Sequence, residues 1–274
     1  MASGPRNRLR FIIGMAESEQ VSAHGDERTA DEARREISVG CVDLPHGMSR
    51  RVYFQKLRFL ETRLPADEVP SERIMHRWRN EAGGAGRFAI VAPRDLCEPA
   101  SGPESPTERA AVGTRASLLA SGARHAGAAA VLFLTPPSLT PSTAHRDRLR
   151  RLFEDIADPD RFHGLVRVWQ PDGLWRPSLA ARLARDLGVV AACDPLAADA
   201  FDDGGPPPPG DIAFARVGGM GRPNRPLGDD DLARLAEWLE PCRRGFVSFD
   251  TPAKLRDAQG LARWVGDSAV AARN

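Results

Sequence analysis

The chain is poor in the residues that most often announce chemistry. Its four cysteines, Cys41, Cys97, Cys193 and Cys242, are scattered over 274 residues and form no C-x-x-C pair. That spacing argues against a zinc ribbon and a disulfide scaffold, and it suits a reducing cytoplasm. No segment approaches the ~20 apolar residues of a membrane helix. The early run "FIIGMA" is too short for a signal h-region, so no membrane partner is expected. The net charge is only +1, so no global field draws the chain to nucleic acid or anionic lipid. The G-x-S-x-G elbow of the α/β-hydrolases is missing. Lysine is almost absent: Lys56 and Lys254 stand alone among the arginines.

What is present is an alternation. Eight short aliphatic or β-branched runs occur at 37–43, 58–63, 87–94, 129–135, 164–170, 189–194, 212–219 and 245–251. Several are nearly continuously apolar, as parallel strands covered on both faces should be. Helical periodicity fills the gaps. "AHRDRLRRLFEDIA" puts Leu149, Leu152, Phe153, Ile156 and Ala157 on one face. "DDDLARLAEWLE" does the same with Leu232, Leu235, Ala236 and Leu239 and opens on acids that suit a helix N-terminus.

Eight strand–helix units predict a (β/α)8 TIM barrel, irregular at the sixth crossover, where "PLAADAFDDGGPPPPG" hardly supports a helix. A doubly wound open sheet would want a phosphate-binding glycine fingerprint after its first strand, and "GCVDLPHG" is not one. The expected organisation is an extension over 1–36, partly disordered, a barrel over 37–266 and a tail over 267–274. A further stretch, "EPASGPESPTE" (98–108), reads as low-complexity.

A barrel active site lies at the C-terminal ends of its strands, which makes the candidates few. They are Asp43, Glu61, Arg94, Gln170, Asp194, Arg216 and Asp250. Of the six histidines only His46 lies near this rim, so no multinuclear metal site and no metal cofactor are expected there. Cys41 and Cys193 lie within strands and read as small core residues. Paired carboxylates can do acid–base work where one is desolvated; equally, acids and arginines in a barrel mouth can simply pair with one another.

The order of the segments resembles the YecE-like family, the domain of unknown function numbered seventy-two (DUF72), from about residue 37 to 265. "YFQKLRFLE" (53–61) resembles the family's second-strand entry and includes Glu61. "RFAIVAPR", "VLFLTPPS", "FARVGG" with Arg216, and "FVSFDTPAKLRDAQGL" resemble the third, fourth, seventh and eighth strands. The resemblance implies a TIM barrel and carries no settled activity. The departures concern polar residues. The family's Glu, Arg and His on the fifth strand correspond to Arg167, Trp169 and Gln170. Its third-strand Lys is Val91, its fourth-strand Gln is Leu134, its seventh-strand His is Gly218, and its eighth-strand Asn pair is Asp250–Thr251.

A retained frame with a replaced mouth predicts a catalytically silent barrel that binds a small molecule or serves as a scaffold. The alternative is an enzyme acting on an anionic sugar or phosphoester, with Glu61 as acid or base, Arg216 as charge clamp and Asp250 beside them. A third reading, nucleic-acid binding through Arg146, Arg148, Arg150 and Arg151, is weakened by their place on an outer helix among acids. Trp169, Trp175 and the "TPPS" turn are large enough to plug the mouth. The loop "GGMGRPNR" offers Gly218, Gly219 and Gly221 for backbone N–H groups turned to an anion, with Arg222 and Arg225 as forked donors.

Overall fold

The computed structural model describes residues 35–98, 105–197, 206–218 and 226–266. Eight parallel strands close into a barrel in chain order. They are β1 (Glu36–Val42), β2 (Phe59–Thr62), β3 (Arg87–Val91), β4 (Ala128–Leu134), β5 (Val166–Gln170), β6 (Val190–Cys193), β7 (Ile212–Gly218) and β8 (Arg244–Asp250). β8 pairs back onto β1, with Val39 opposite Val247.

Strand alternation sends every second side chain inward. Phe59, Phe214 and Phe246 fill one side of the interior, with ring centroids 5.4 to 6.1 Å apart. Ala89, Ala130 and Ala192, with Leu132 and Val168, complete the same cluster. Large rings thus face small side chains, and the barrel is a packed core rather than a pore.

The outward set meets a ring of helices: α1 (Arg50–Phe54), α2 (Glu72–Ala82), α3 (Arg94–Cys97), α4 (Pro106–His125), α5 (Thr143–Arg151), α6 (Pro177–Asp186), α7 (Asp229–Leu239) and α8 (Lys254–Trp264). The periodic face of α7 is buried as the spacing predicts, at Leu232, Leu235 and Leu239, and α8 buries Ala258, Leu261 and Ala262. α5 ends in a π-helical turn over Leu152–Ile156, in which the Ala157 amide donates to the Leu152 carbonyl at 2.7 Å.

Two local findings shape the rim. Gly40 sits where a Cβ would lie 1.7 Å from the Phe59 carbonyl oxygen. Beside it the Tyr53 hydroxyl donates to that carbonyl at 2.6 Å and accepts from the Cys41 amide at 2.8 Å. The phenol is thereby built into the β1–β2 seam, and only glycine leaves room for it. The second finding corrects the low-complexity reading of 98–108. Within it Ser105 and Glu108 form a reciprocal capping box, and α4 runs 20 residues from Pro106. The sixth crossover holds no helix among the described residues; 206–211 are irregular, and Trp238 Nε1 donates to the Pro207 carbonyl at 3.1 Å.

Candidate functional site

The inward pleat of β2, β7 and β8 delivers one polar cluster above the phenylalanines. Glu61 follows Phe59 by two residues, Arg216 follows Phe214, and Ser248 follows Phe246, so each shares the interior face of its strand. Register places Arg216 beside Ser248. The Glu61 side chain is 1% exposed and that of Arg216 20%. Arg216 Nε donates to Glu61 Oε1 at 2.9 Å. Ser248 Oγ donates to Glu61 Oε2 at 2.5 Å. The guanidinium also reaches out, from Nη2 to Asp250 Oδ2 at 3.3 Å, and that aspartate is half-exposed. Burial pushes the Glu61 carboxyl above its usual range, while the guanidinium and the hydroxyl pull it back. Both carboxylate oxygens are therefore engaged, and the charge is matched inside the barrel.

The other sequence candidates do not join this cluster. Asp43 has a left-handed backbone, φ 51°, and its side chain accepts from the Arg63 amide at 3.2 Å. Lys254 Nζ donates to the Val42 carbonyl at 2.6 Å and the Asp43 carbonyl at 3.1 Å. One of the two lysines thus ties the end of β1 to the start of α8. Asp194 is spread over two loops, its Oδ1 accepting from Leu196 N and its Oδ2 from Gly218 N. It joins the end of β6 to the end of β7. Gln170 donates to the carbonyl of its neighbour Pro171 at 3.1 Å, and its own Oε1 is buried without a hydrogen-bond partner. Arg94 is exposed at the start of α3 and pairs with Glu98 at 2.6 Å. Gly218 ends β7; a Cβ there would lie 2.7 Å from that of Asp250. Gly219, Gly221, Arg222 and Arg225 lie outside the described residues.

The β5 residues resolve differently from what their position suggests. Val166 and Val168 face the interior, so parity turns Arg167 and Trp169 outward. Arg167 donates to the carbonyls of Phe153, Ala157 and Gly188 at 2.8 to 2.9 Å. It caps two carbonyls of the π-turn and its end, and one just after α6. Trp169 is fully buried between sheet and helices, donates to Thr135 Oγ1 at 2.9 Å, and meets Trp175 edge-on at 5.0 Å. The two tryptophans fill the sheet–helix layer and do not plug the mouth.

What opens at the mouth is a cavity of ≈ 520 Å³ over the ends of β2 to β5. Its apolar lining includes Leu64, Val91 and Leu134, and its charged lining includes Arg63, Arg94 and Asp172. Leu134 and Val91, two of the positions at which the sequence departs from the resembled family's polar pattern, contribute to this apolar wall. A second cavity, ≈ 290 Å³, lies against β6 near the prolines of the sixth crossover.

Sequence reasoning missed Ser248 and the buried Asp257. Ser248 was readable from parity, two residues from Phe246 and two from Asp250. Asp257, 2% exposed, accepts from Thr251 Oγ1 at 2.6 Å and from Leu227 N at 3.1 Å. It anchors the segments after β7 and β8, and nothing in its helical context marked it. The four cysteines carry no disulfide; burial pushes the Cys41 thiol to about 11 and that of Cys97 to about 12, which fits inert core residues. No helix among the described residues is long and apolar enough to cross a membrane.

No family model matches the chain, and no curated protein matches it significantly in sequence. Solved structures do match, and they show the fold: a closed TIM barrel of the kind found in DUF72 proteins and sugar epimerases. A DUF72-family protein from Enterococcus faecalis superposes with a TM-score of 0.61 at 12% identity, over 84% of this chain and 95% of that one. A DUF72-family protein from Thermotoga maritima gives 0.58 at 13% identity, over 85% and 100%. D-psicose 3-epimerase from Clostridium cellulolyticum gives 0.57 at 11%, over 85% and 99%. The resemblance read from the sequence is thus supported at the level of fold.

Proposed function

We propose that this chain is a diverged DUF72-type barrel that binds a small ligand at its C-terminal mouth and does not turn it over. The observation that carries this is the state of Glu61. A general acid or base needs a titratable atom within reach of substrate. Glu61 is sealed, with one oxygen on Arg216 and the other on Ser248. The room for a ligand lies elsewhere, over β2 to β5, where the wall is apolar and the rim charged. That combination suits a small molecule with an apolar body and a polar or anionic end.

The test is to incubate purified protein with a metabolite extract and follow retained and consumed compounds by mass spectrometry. A compound should be retained, lost on Leu134→Trp, which fills the cavity, and kept on Glu61→Gln. Consumption of any metabolite that Glu61→Gln abolishes would overturn the reading.

One observation favours a second reading. Asp250 is half-exposed beside a guanidinium that also reaches the mouth. An enzyme acting on an anionic sugar or phosphoester would use Arg216 as clamp, with Glu61 released from Ser248 on binding. In that case Ser248→Ala would change turnover, whereas the binding reading expects ligand affinity unchanged.

A further inference from the structure

We propose a divalent-metal site on the outer helix ring, formed by Glu72, His76 and His125, that takes zinc or a neighbouring first-row cation. Glu72 and His76 are four residues apart in the first turns of α2 and so share a face. His125 is the last residue of α4. The approach of the two helices is set by Gly122, where a Cβ would lie 3.0 Å from Val69 and 3.2 Å from Met75. Met75 precedes His76 and Gly122 precedes His125 by one turn, so this close packing delivers the two imidazoles to each other.

The donor geometry is that of a coordination shell. His76 Nε2 lies 3.3 Å from Glu72 Oε1, and His125 Nε2 lies 3.4 Å from the same oxygen. The three donor atoms fall within 4.8 Å of one another. A tetrahedral ion with ligands at about 2.0–2.1 Å has ligand–ligand edges of about 3.3–3.4 Å, the spacing of both imidazole–carboxylate pairs. The ring centroids are 4.9 Å apart. Their planes are inclined by 29°, so the rings must turn for both Nε2 lone pairs to converge on one ion. The nearby Arg124 is turned away, donating to the Arg161 carbonyl at 3.0 Å. Two imidazoles and one carboxylate select zinc, copper or nickel over magnesium and calcium, which prefer all-oxygen shells. All three side chains are partly exposed, with His125 the most covered at 33%. The fourth position therefore faces solvent and takes water. The ion would pin α2 to α4 across the 48 residues between His76 and His125, and its binding would stabilise the fold.

The test uses untagged protein and zinc chloride, read by calorimetric titration and by melting temperature. The expected result is one zinc per chain, a raised melting temperature and no response to magnesium. His76→Ala and His125→Ala should each weaken the dissociation constant at least about tenfold, and His163→Ala should not. Cobalt should give a tetrahedral visible spectrum without the sulfur-to-metal charge-transfer band of a cysteine site. Zinc binding unchanged in the His76→Ala, His125→Ala double variant, a thiolate band with cobalt, or no zinc binding at all would each overturn the proposal.

Discussion

Replacing Arg216 by Met tests the buried cluster at the residue that joins Glu61 to the rim. Methionine keeps most of the aliphatic stem and removes the charge. Glu61 is then left with Ser248 alone, at 1% exposure. Stranding a buried charge commonly costs about 3–5 kcal/mol. Here protonation sets a ceiling. Holding Glu61 neutral costs about 1.4 kcal/mol for each pH unit above its ordinary value of 4.5, or about 3.4 kcal/mol at pH 7 and about 0.7 kcal/mol at pH 5. The neutral carboxyl keeps a hydrogen bond with Ser248, so the variant can adopt this state.

The sign follows from the raised pKa. Glu61 in the fold already titrates above 4.5, and loss of Arg216 raises it further. Its contribution to stability is fully present below about pH 4.5 and is lost as pH rises through the raised folded value. Urea titrations should therefore show Arg216→Met losing up to about 3 kcal/mol at pH 7 and less than about 1 kcal/mol at pH 5, relative to the unsubstituted protein at the same pH. Adding Glu61→Gln should remove most of that pH dependence. A loss of equal size at both pH values would refute the account, because it would locate the damage in packing rather than in an unpaired carboxylate.

Other substitutions address the frame around the cluster. Gly40→Ala should destabilise by more than about 3 kcal/mol or prevent folding, since its methyl would collide with the Phe59 carbonyl; a soluble variant with an unchanged urea midpoint would contradict the seam. Tyr53→Phe takes the bridging hydroxyl away from the Cys41 amide and the Phe59 carbonyl and should cost about 1–3 kcal/mol by the same measurement. Arg167→Leu uncovers three carbonyls and should cost about 2–3 kcal/mol, with faster amide exchange over the π-turn at 152–157. Asp257→Ala should cost about 1–3 kcal/mol and leave thermal stabilisation by zinc intact.

The fold was legible because parallel strands buried on both faces write themselves as apolar runs, and all eight runs became strands. The short α1 and α3 were not read as helices, and α4 was the one long helix missed. Its buried residues, Ala116, Leu119, Ala120, Gly122 and Ala123, are mostly small, and its exposed face carries Ala and Leu118 as well. An alanine-rich helix has little contrast between its faces, so periodicity had nothing to detect. The start signal was still there, in Ser105–Pro106–Thr107–Glu108, but it sat inside a stretch whose prolines and serines read as loop.

The mouth was harder for a different reason. Proximity to a strand end decides whether a residue is near the rim; parity decides whether it points into it. Arg167 and Trp169 met the first condition and failed the second. Once Val166 and Val168 are known to be interior, the outward course of both follows. Then only Gln170 remains from the fifth strand, and its side-chain amide oxygen is buried without a hydrogen-bond partner. The same rule applied to β2, β7 and β8 would have assembled Glu61, Arg216 and Ser248 from the phenylalanines two residues earlier. Parity cannot say whether a carboxylate so placed is free or sealed. That depends on a register between β7 and β8 that sets Arg216 beside Ser248, and on the closure that brings β2 within reach of both. The chemistry of this barrel turns on those two long-range facts, which no local pattern encodes.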